Sequence, residues 1–309
     1  MIYGIGETVL DIVFRDDQPQ RAIPGGTTFN SMISLGRCGL DCAMLAQTGD
    51  DHVGDLTMEY LRENGVSDRL MSRCTGMKSH LSLAFLNEQS DANYTFYKDH
   101  TGWQIDPLMA AVEQVQFTAQ DALLFGSFFA VNPLVRPAVS QLLHKAHDAG
   151  AMIYYDLNYR RPHVNQLAEV MPNIVENIAL STVVRASAED LEAVAPLRLS
   201  PRGEERIEEK IDIITDGAGP VRLYTKDGVL ELETPKIEPI STVGAGDNFN
   251  AGFLYRYMQL GLKPQPDTWT EAEWLSMART GQAFGQEVCM SWENSISKEY
   301  EDTFYDTRM

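Results

Sequence analysis

From about residue 105 the chain alternates short β-prone runs with amphipathic helical runs, and this rhythm leaves few folds open. Ala122–Phe125, Met152–Tyr155, Thr182–Arg185 and Ile211–Ile214 read as strands. Between them the spacing predicts helices over Pro133–Ala149, Gln166–Ile178 and Ala188–Val194. Parallel strands need a long crossover, and a helix lying on the sheet supplies it. The opening of the chain has the same rhythm. Strand Ile2–Ile5 leads to a helix over Thr28–Cys38 with Phe29, Met32, Ile33 and Leu35 on one face. Strand Cys42–Gln47 and helix His52–Asn64, ended by Gly65, follow. Late in the chain, Val221–Lys226 and Val229–Glu233 form a hairpin around Asp227-Gly228, before helices over Gly246–Leu260 and Glu271–Cys289. The expected fold class is α/β, with a mainly parallel central sheet flanked by helices.

One stretch breaks the alternation. Leu81–Leu86 and Tyr94–Tyr97 are β-rich and separated by a polar turn, which makes a hairpin rather than a βα unit. With Asp11–Phe14 and Arg21–Ile23 they can form a small separate sheet.

Charge narrows the function. The 309 residues include 44 Asp+Glu against 25 Lys+Arg, a formal −19. Such a surface repels nucleic acid and anionic lipid, so neither is expected as a partner. Cys38, Cys42, Cys74 and Cys289 have no metal-site spacing and read as free thiols of a reducing compartment. With no signal-peptide pattern and no apolar run of about 18 residues, the expected location is the cytoplasm. A phosphate-bearing ligand would have to be held by local features, against the global field.

Ser241-Thr242-Val243-Gly244-Ala245-Gly246-Asp247-Asn248-Phe249-Asn250 supplies such a feature. Small residues running into a helix let a ligand approach the backbone, and helix N-terminal N–H groups attract anions. Asp247 in the first turn has two readings: it caps the helix, or it is a general base beside an anion hole. The chain lacks G-x-x-x-x-G-K-[ST], the protein-kinase motifs and an early G-x-G-x-x-G, which excludes P-loop, protein-kinase and nicotinamide-dehydrogenase readings.

The Thr242–Gly252 segment resembles the C-terminal signature of the PfkB (ribokinase-like) carbohydrate kinases. Other elements appear in family order. Gly25-Gly26-Thr27-Thr28-Phe29-Asn30 is similar to the family's G-G-x-x-x-N. Gly6-Glu7 with Asp11 resembles the opening of fructokinase-like members. Gly49-Asp50-Asp51 with Gly54, and Asp156-Leu157-Asn158-Tyr159-Arg160, also match. The resemblance implies one large ribokinase-like domain over residues 1–309, with a β-sheet lid drawn from about 11–23 and 70–104.

It further implies an ATP-dependent sugar kinase acting on a primary hydroxyl, with fructose the favoured substrate. Asp247 would be the catalytic base, and the N–H groups of Gly244, Ala245, Gly246 and Asp247 would hold the transferring phosphoryl group. Asp11, Gly26, Asn30, Phe96 and Arg160 would contact the sugar. Thr215, Gly217 and Gly219, in a stretch similar to the family's T-x-G-x-x-G with Pro220 at its last glycine, would meet the nucleotide, helped by Arg185. Mg²⁺ would be ordered through water by Asp190 or Glu189, where Ser187-Ala188-Glu189-Asp190 stands for the family's N-x-x-E. Potassium activation is in question, because Ser241 stands where potassium-activated relatives carry Asp. A homodimer through the lid is the expected assembly. Alternatives within the family are a 2-keto-3-deoxygluconate kinase, a ribokinase or a nucleoside kinase. The alternative from another class is an inactive sugar- or nucleotide-binding relative. The segment from Glu301 reads as a docked tail or a frayed end.

Overall fold

The structure, a computed structural model, describes residues 1–88, 90, 92–98, 104–194 and 210–300. The first half of the chain contributes strands β1 (Ile2–Ile5), β2 (Val9–Arg15), β3 (Gln18–Gly25), β4 (Cys42–Gly49), β5 (Val66–Cys74), β6 (His80–Leu86) and β7 (Ala92–Tyr97). Helices α1 (Thr27–Arg37), α2 (His52–Glu63) and α3 (Ile105–Gln114) lie among and after them. The second half alternates β8 (Ala122–Gly126), α4 (Arg136–Asp148), β9 (Met152–Asp156), α5 (Leu167–Leu180), β10 (Val183–Ser187), α6 (Ala188–Val194) and β11 (Ile213–Thr215). Hairpin β12 (Val221–Thr225)–β13 (Gly228–Leu232) and helices α7 (Ala245–Leu260) and α8 (Glu271–Cys289) complete it.

The expected α/β architecture is present. A nine-stranded sheet runs β13-β12-β11-β10-β9-β8-β1-β4-β5, parallel except where β12 pairs antiparallel with β11 and β13. Because successive strand residues face opposite ways, neighbours in one strand feed different cores. Tyr155 packs with side chains of α3, α4 and α5, while Tyr154 packs on the other face with α1, α7 and α8. Trp274 of α8 is buried in that second core against Phe253 and Trp269.

The second sheet has the order β3-β2-β6-β7. Its segments differ from the expected range of 70–104. Val66–Cys74 pairs in parallel with β4 and is the edge of the large sheet, so the later lid segment starts at His80. Residues 89, 91 and 99–103 of that range, and the tail from Glu301, lie outside the described residues. The sequence hid β5 because it buries only Val66, Leu70 and Cys74, every fourth residue, instead of alternating. Among the described residues no helix is long and apolar enough to cross a membrane.

The carboxyl ends of β1, β8, β9, β10 and β11 share one edge of the large sheet, where open α/β sheets bind ligands. The small sheet stands over that edge.

Candidate active site

Between the two sheets lies a cavity of about 560 Å³. It is lined from the large-sheet side by Gly26, Asn30, Asn158, Arg160, Arg185 and residues 242–247, and from the small sheet by Asp11, Tyr94, Phe96 and Lys98.

The chemistry concentrates at the start of α7. Gly244 is its N-cap in the left-handed region, at φ +80°, and a Cβ there would come 2.8 Å from the Asn294 carbonyl oxygen. Glycine is therefore required both by the backbone conformation and by the close approach. Among the described residues no N–H of its own helix donates to the Asp247 carboxylate. It accepts instead from Asn30 Nδ2 at 2.8 Å, which favours the second of its two sequence readings. Burial pushes its pKa up to about 7; Asp156 adds to the rise, and Asn30, Arg160 and Arg185 oppose it. A carboxylate that titrates near neutrality beside a helix N-terminus can take a proton from an attacking hydroxyl.

The turn offers fewer uncommitted N–H donors than expected. The N–H groups of Gly244, Gly246 and Asp247 find no acceptor among the described residues, but the Ala245 N–H already donates to Thr242 O at 3.2 Å. Ala245 contributes its small size rather than a donor.

Beneath this turn lies a buried charge network. Arg185, on β10, donates through Nη1 to Asp156 Oδ1 at 3.1 Å and through Nη2 to Thr215 Oγ1. Asn250 Nδ2 donates to Asp156 Oδ2 at 2.7 Å. A Cβ on Gly246 would come within 3.0 Å of the Arg185 guanidinium, so the cation sits directly against the turn. Thr215 thus reaches the site through Arg185. Gly217 and Gly219 are outside the cavity lining, in the turn after β11, where Gly219 N donates to Asp216 O at 2.6 Å.

On the opposite wall, Asp11 is buried and its pKa is pushed by that burial up to about 6. Glu7 is held down at about 2: burial opposes its charge, but Lys98 Nζ at 2.5 Å and His80 Nδ1 at 2.9 Å outweigh it. Tyr94 and Phe96 stack with centroids 5.7 Å apart, and the Lys98 ammonium lies 4.3 Å from the Phe96 ring centre. Gly26, the N-cap of α1, has φ +127°, and a Cβ there would strike Glu7 O at 2.3 Å. Arg160 pairs with Glu189 at 3.1 Å. Asp190 lies outside the cavity lining. Its Oδ2 accepts from Ser187 N at 2.8 Å while Ser187 Oγ accepts from Asp190 N at 3.1 Å, a reciprocal cap on α6.

A model of the pfkB family carbohydrate kinases matches residues 5–297. The chain belongs to the PfkB family of carbohydrate kinases. It is 28% identical over 270 residues to the fructokinase of Rhizobium leguminosarum bv. trifolii, covering 82% of this chain and 78% of the relative. It is 23% identical over 257 residues to the aminoimidazole riboside kinase of Salmonella typhimurium, covering 82% and 80%. Among solved structures, aminoimidazole riboside kinase from Salmonella enterica, bound to aminoimidazole riboside and an ATP analogue, superposes with TM-score 0.80 at 20% identity over 98% of both chains. Fructokinase from Vibrio cholerae O395 in its fructose, ADP and calcium ion bound form gives 0.79 at 19% identity, over 98% of this chain and 97% of that one.

In this PfkB kinase the structure gives partners to residues that motif reading left without a role. Asn294 is 2% exposed and donates to Asp11 Oδ2 and Pro24 O, each at 3.3 Å. Ser295 Oγ donates to Asn30 O at 3.2 Å. Asn158 Nδ2 donates to Thr27 Oγ1 at 2.9 Å, tying the end of β9 to α1. Asn248 and Asn250 are fully buried in α7. Two asparagines flanking Phe249, in a helix that also carries Asp247, Arg256 and Gln259, were a readable signal, because buried amides need partners. The Glu293-Asn294-Ser295 run carries a weaker one, polar residues following an amphipathic helix without a glycine or proline.

Proposed function

We propose that this carbohydrate kinase transfers the γ-phosphate of ATP to a primary hydroxyl of a small free sugar, with fructose as the first candidate. The observation that carries the reading is the Asn30–Asp247 hydrogen bond: it joins the amide expected to hold the sugar to the carboxylate expected to deprotonate it. Asp247 acts as general base on the attacking hydroxyl. The N–H groups of Gly244, Gly246 and Asp247, with the Arg185 guanidinium behind them, stabilise the charge on the transferring group. Asp11, Gly26 and Asn30 bind sugar hydroxyls; Asn30 Oδ1 is buried with no partner, so it has an acceptor to offer. Phe96 covers a sugar face and Arg160 reaches the substrate or a phosphate. Thr215, Gly217 and Gly219 form the nucleotide side.

The donor set bears on the metal. Among the described residues no group of three His, Cys, Asp or Glu could cage an ion. Mg²⁺ keeps most of its waters and binds through phosphates plus one or two carboxylates, so a cage is not required. Asp190 Oδ1, buried and unpartnered, fits a water of such an ion better than Glu189, which Arg160 engages. When bound, Mg²⁺ neutralises phosphate charge. Ser241 is buried, with its hydroxyl accepting from Val243 N, and makes potassium activation a question for assay. The lid's outer face, with half-buried Leu10, Ile12, Leu81 and Leu83 beside exposed Tyr97, favours a homodimer through the lid; Leu83→Asp should then shift the sedimenting species to monomer.

The test is ADP release over fructose, ribose, tagatose, 2-keto-3-deoxygluconate, 5-dehydro-2-deoxygluconate and aminoimidazole riboside, with and without potassium. The last two are included because a 5-dehydro-2-deoxygluconokinase of Bacillus cereus and the Salmonella riboside kinase are also relatives. The highest kcat/KM on fructose is expected. Turnover of another sugar only would replace the substrate, and turnover of none would leave a binding protein.

A further inference from the structure

Residues 294–296 form a short strap that touches both halves of the site. The side chain of Asn294 reaches one half. Its Nδ2 donates to the Asp11 carboxylate and to Pro24 O, each at 3.3 Å. Its backbone reaches the other. The Asn294 carbonyl accepts from Asn248 Nδ2 at 2.9 Å, and the same Nδ2 lies 2.8 Å from Gly244 O. Gly244 lies so close that a Cβ on it would contact Asn294 O, Cα and C at 2.8 to 3.3 Å. Ser295 and Ile296 bond to α1, through Asn30 O at 3.2 Å and Ser34 Oγ at 3.1 Å.

We propose that Asn294 is a positioning residue that fixes the Asp11 carboxylate relative to the phosphoryl-binding turn at Gly244. It does not line the cavity, so it acts through Asp11 and not on the sugar. The proposal rests on the reading of Asp11 as a sugar ligand. A carboxylate on a thin lid sheet can swing with that sheet, whereas one tied to the backbone beside Gly244 keeps its distance from the reacting centre. Small misplacements of a binding group are expensive in a transfer reaction, which gives the tether its effect. Gly25 leaves the room for it: a Cβ there would come 2.7 Å from Asn294 Nδ2 and 2.0 Å from Asp11 Oδ2.

The test uses Asn294→Ala and the milder Asn294→Ser in the full chain, with Asp11→Asn as control. The probe is D-fructose, or the sugar that the screen above selects in its place. Asn294→Ala is expected to raise the sugar KM about tenfold, the size of one hydrogen bond to a charged group, and to leave the ATP KM unchanged. The acid limb of kcat/KM for the sugar should move to higher pH, since a donor that favours the ionised Asp11 is gone. Lys98, Glu7 and Tyr94 are the titratable groups facing Asp11, and all three remain in the variant. In the Asn294→Ala/Asp11→Asn pair the effects should not add. Equal rises in both KM values, or a lowered Tm with unchanged sugar KM in both Asn294 variants, would overturn the proposal. If Asp11→Asn itself leaves the sugar KM unchanged, the reading of Asp11 is what fails. If Asp11→Asn raises the sugar KM and neither Asn294 variant does, the positioning role alone fails.

Discussion

The large sheet buries apolar side chains on both faces, with Tyr154 and Tyr155 inaccessible on opposite sides of β9. Among the described residues the small sheet's buried apolar cluster is Val13, Ala84 and Val243, with half-buried Leu86, Ala92, Tyr94 and Trp292 against it, and Val243 belongs to the glycine segment. Polar contacts hold it down. Arg15 Nη2 donates to Ser90 Oγ and Ile240 O, both at 2.7 Å, and Thr242 N donates to Ser90 O at 3.2 Å. Arg15 also lies over the Trp292 ring at 5.2 Å. Two walls of one cavity are therefore held by different forces. The wall carrying Asp247, Arg185 and Asp156 is set by close packing and cannot shift cheaply. The wall carrying Tyr94 and Phe96 is held by a few hydrogen bonds, whose opening costs far less. This division suits a kinase, which must admit sugar and then exclude water from the phosphate.

If that contrast is right, changes on the packed wall should damage turnover or folding, and changes on the lid should alter sugar affinity alone. Asp247→Asn is the strongest probe. It should lower kcat about a thousandfold with sugar binding by calorimetry retained. Its pH behaviour follows from the raised pKa. The proposed base would work only when ionised, so wild-type kcat should fall as pH drops below about 7. Stability runs the other way. A carboxyl whose folded pKa is raised from 3.8 stabilises the fold fully only below that value, and loses the contribution progressively as pH rises to about 7. The Asn variant should therefore gain more over wild type in Tm at pH 8 than at pH 5.

Arg185→Met removes one partner of a buried pair and leaves Asp156 uncompensated. It should cost about 3 kcal/mol in urea unfolding, with activity falling as well. An unchanged unfolding midpoint would show that the packed wall does not depend on this pair. Gly244→Ala forces a side chain into the left-handed region against Asn294 O. A loss of about 2 kcal/mol, with kcat reduced more than sugar KM, is expected. The smallest effect belongs to the lid: Phe96 is 37% exposed, and Phe96→Ala should raise the sugar KM about threefold while moving stability by less than about 0.5 kcal/mol. A large drop in Tm there would erase the distinction between the walls.

Much of this was legible in local pattern. Glycines 244 and 246 with Asp247 announce a glycine turn opening a helix, because backbone exposure and helix polarity are local properties. The strand–helix rhythm announces a parallel sheet because each crossover lies within one stretch of chain. The reciprocal cap at Ser187–Asp190 was also within reach, as residues three apart at a helix start. The edge strand β5 was not legible: half-polar edge strands lack the alternation that marks a strand, and pairing with β4 decides their state.

By itself, then, the sequence determined the fold class, the family and the glycine turn that opens α7, since each is written in neighbouring residues. Tertiary structure alone decided that Asn294, 283 positions from Asp11, would hold that carboxylate. It likewise decided that Arg185 would lie under Gly246, and that the Ala245 N–H would be spent on Thr242. The reason is physical. A buried amide, guanidinium or N–H must find a partner, and which partner it finds depends on the packing of segments that are remote in the chain.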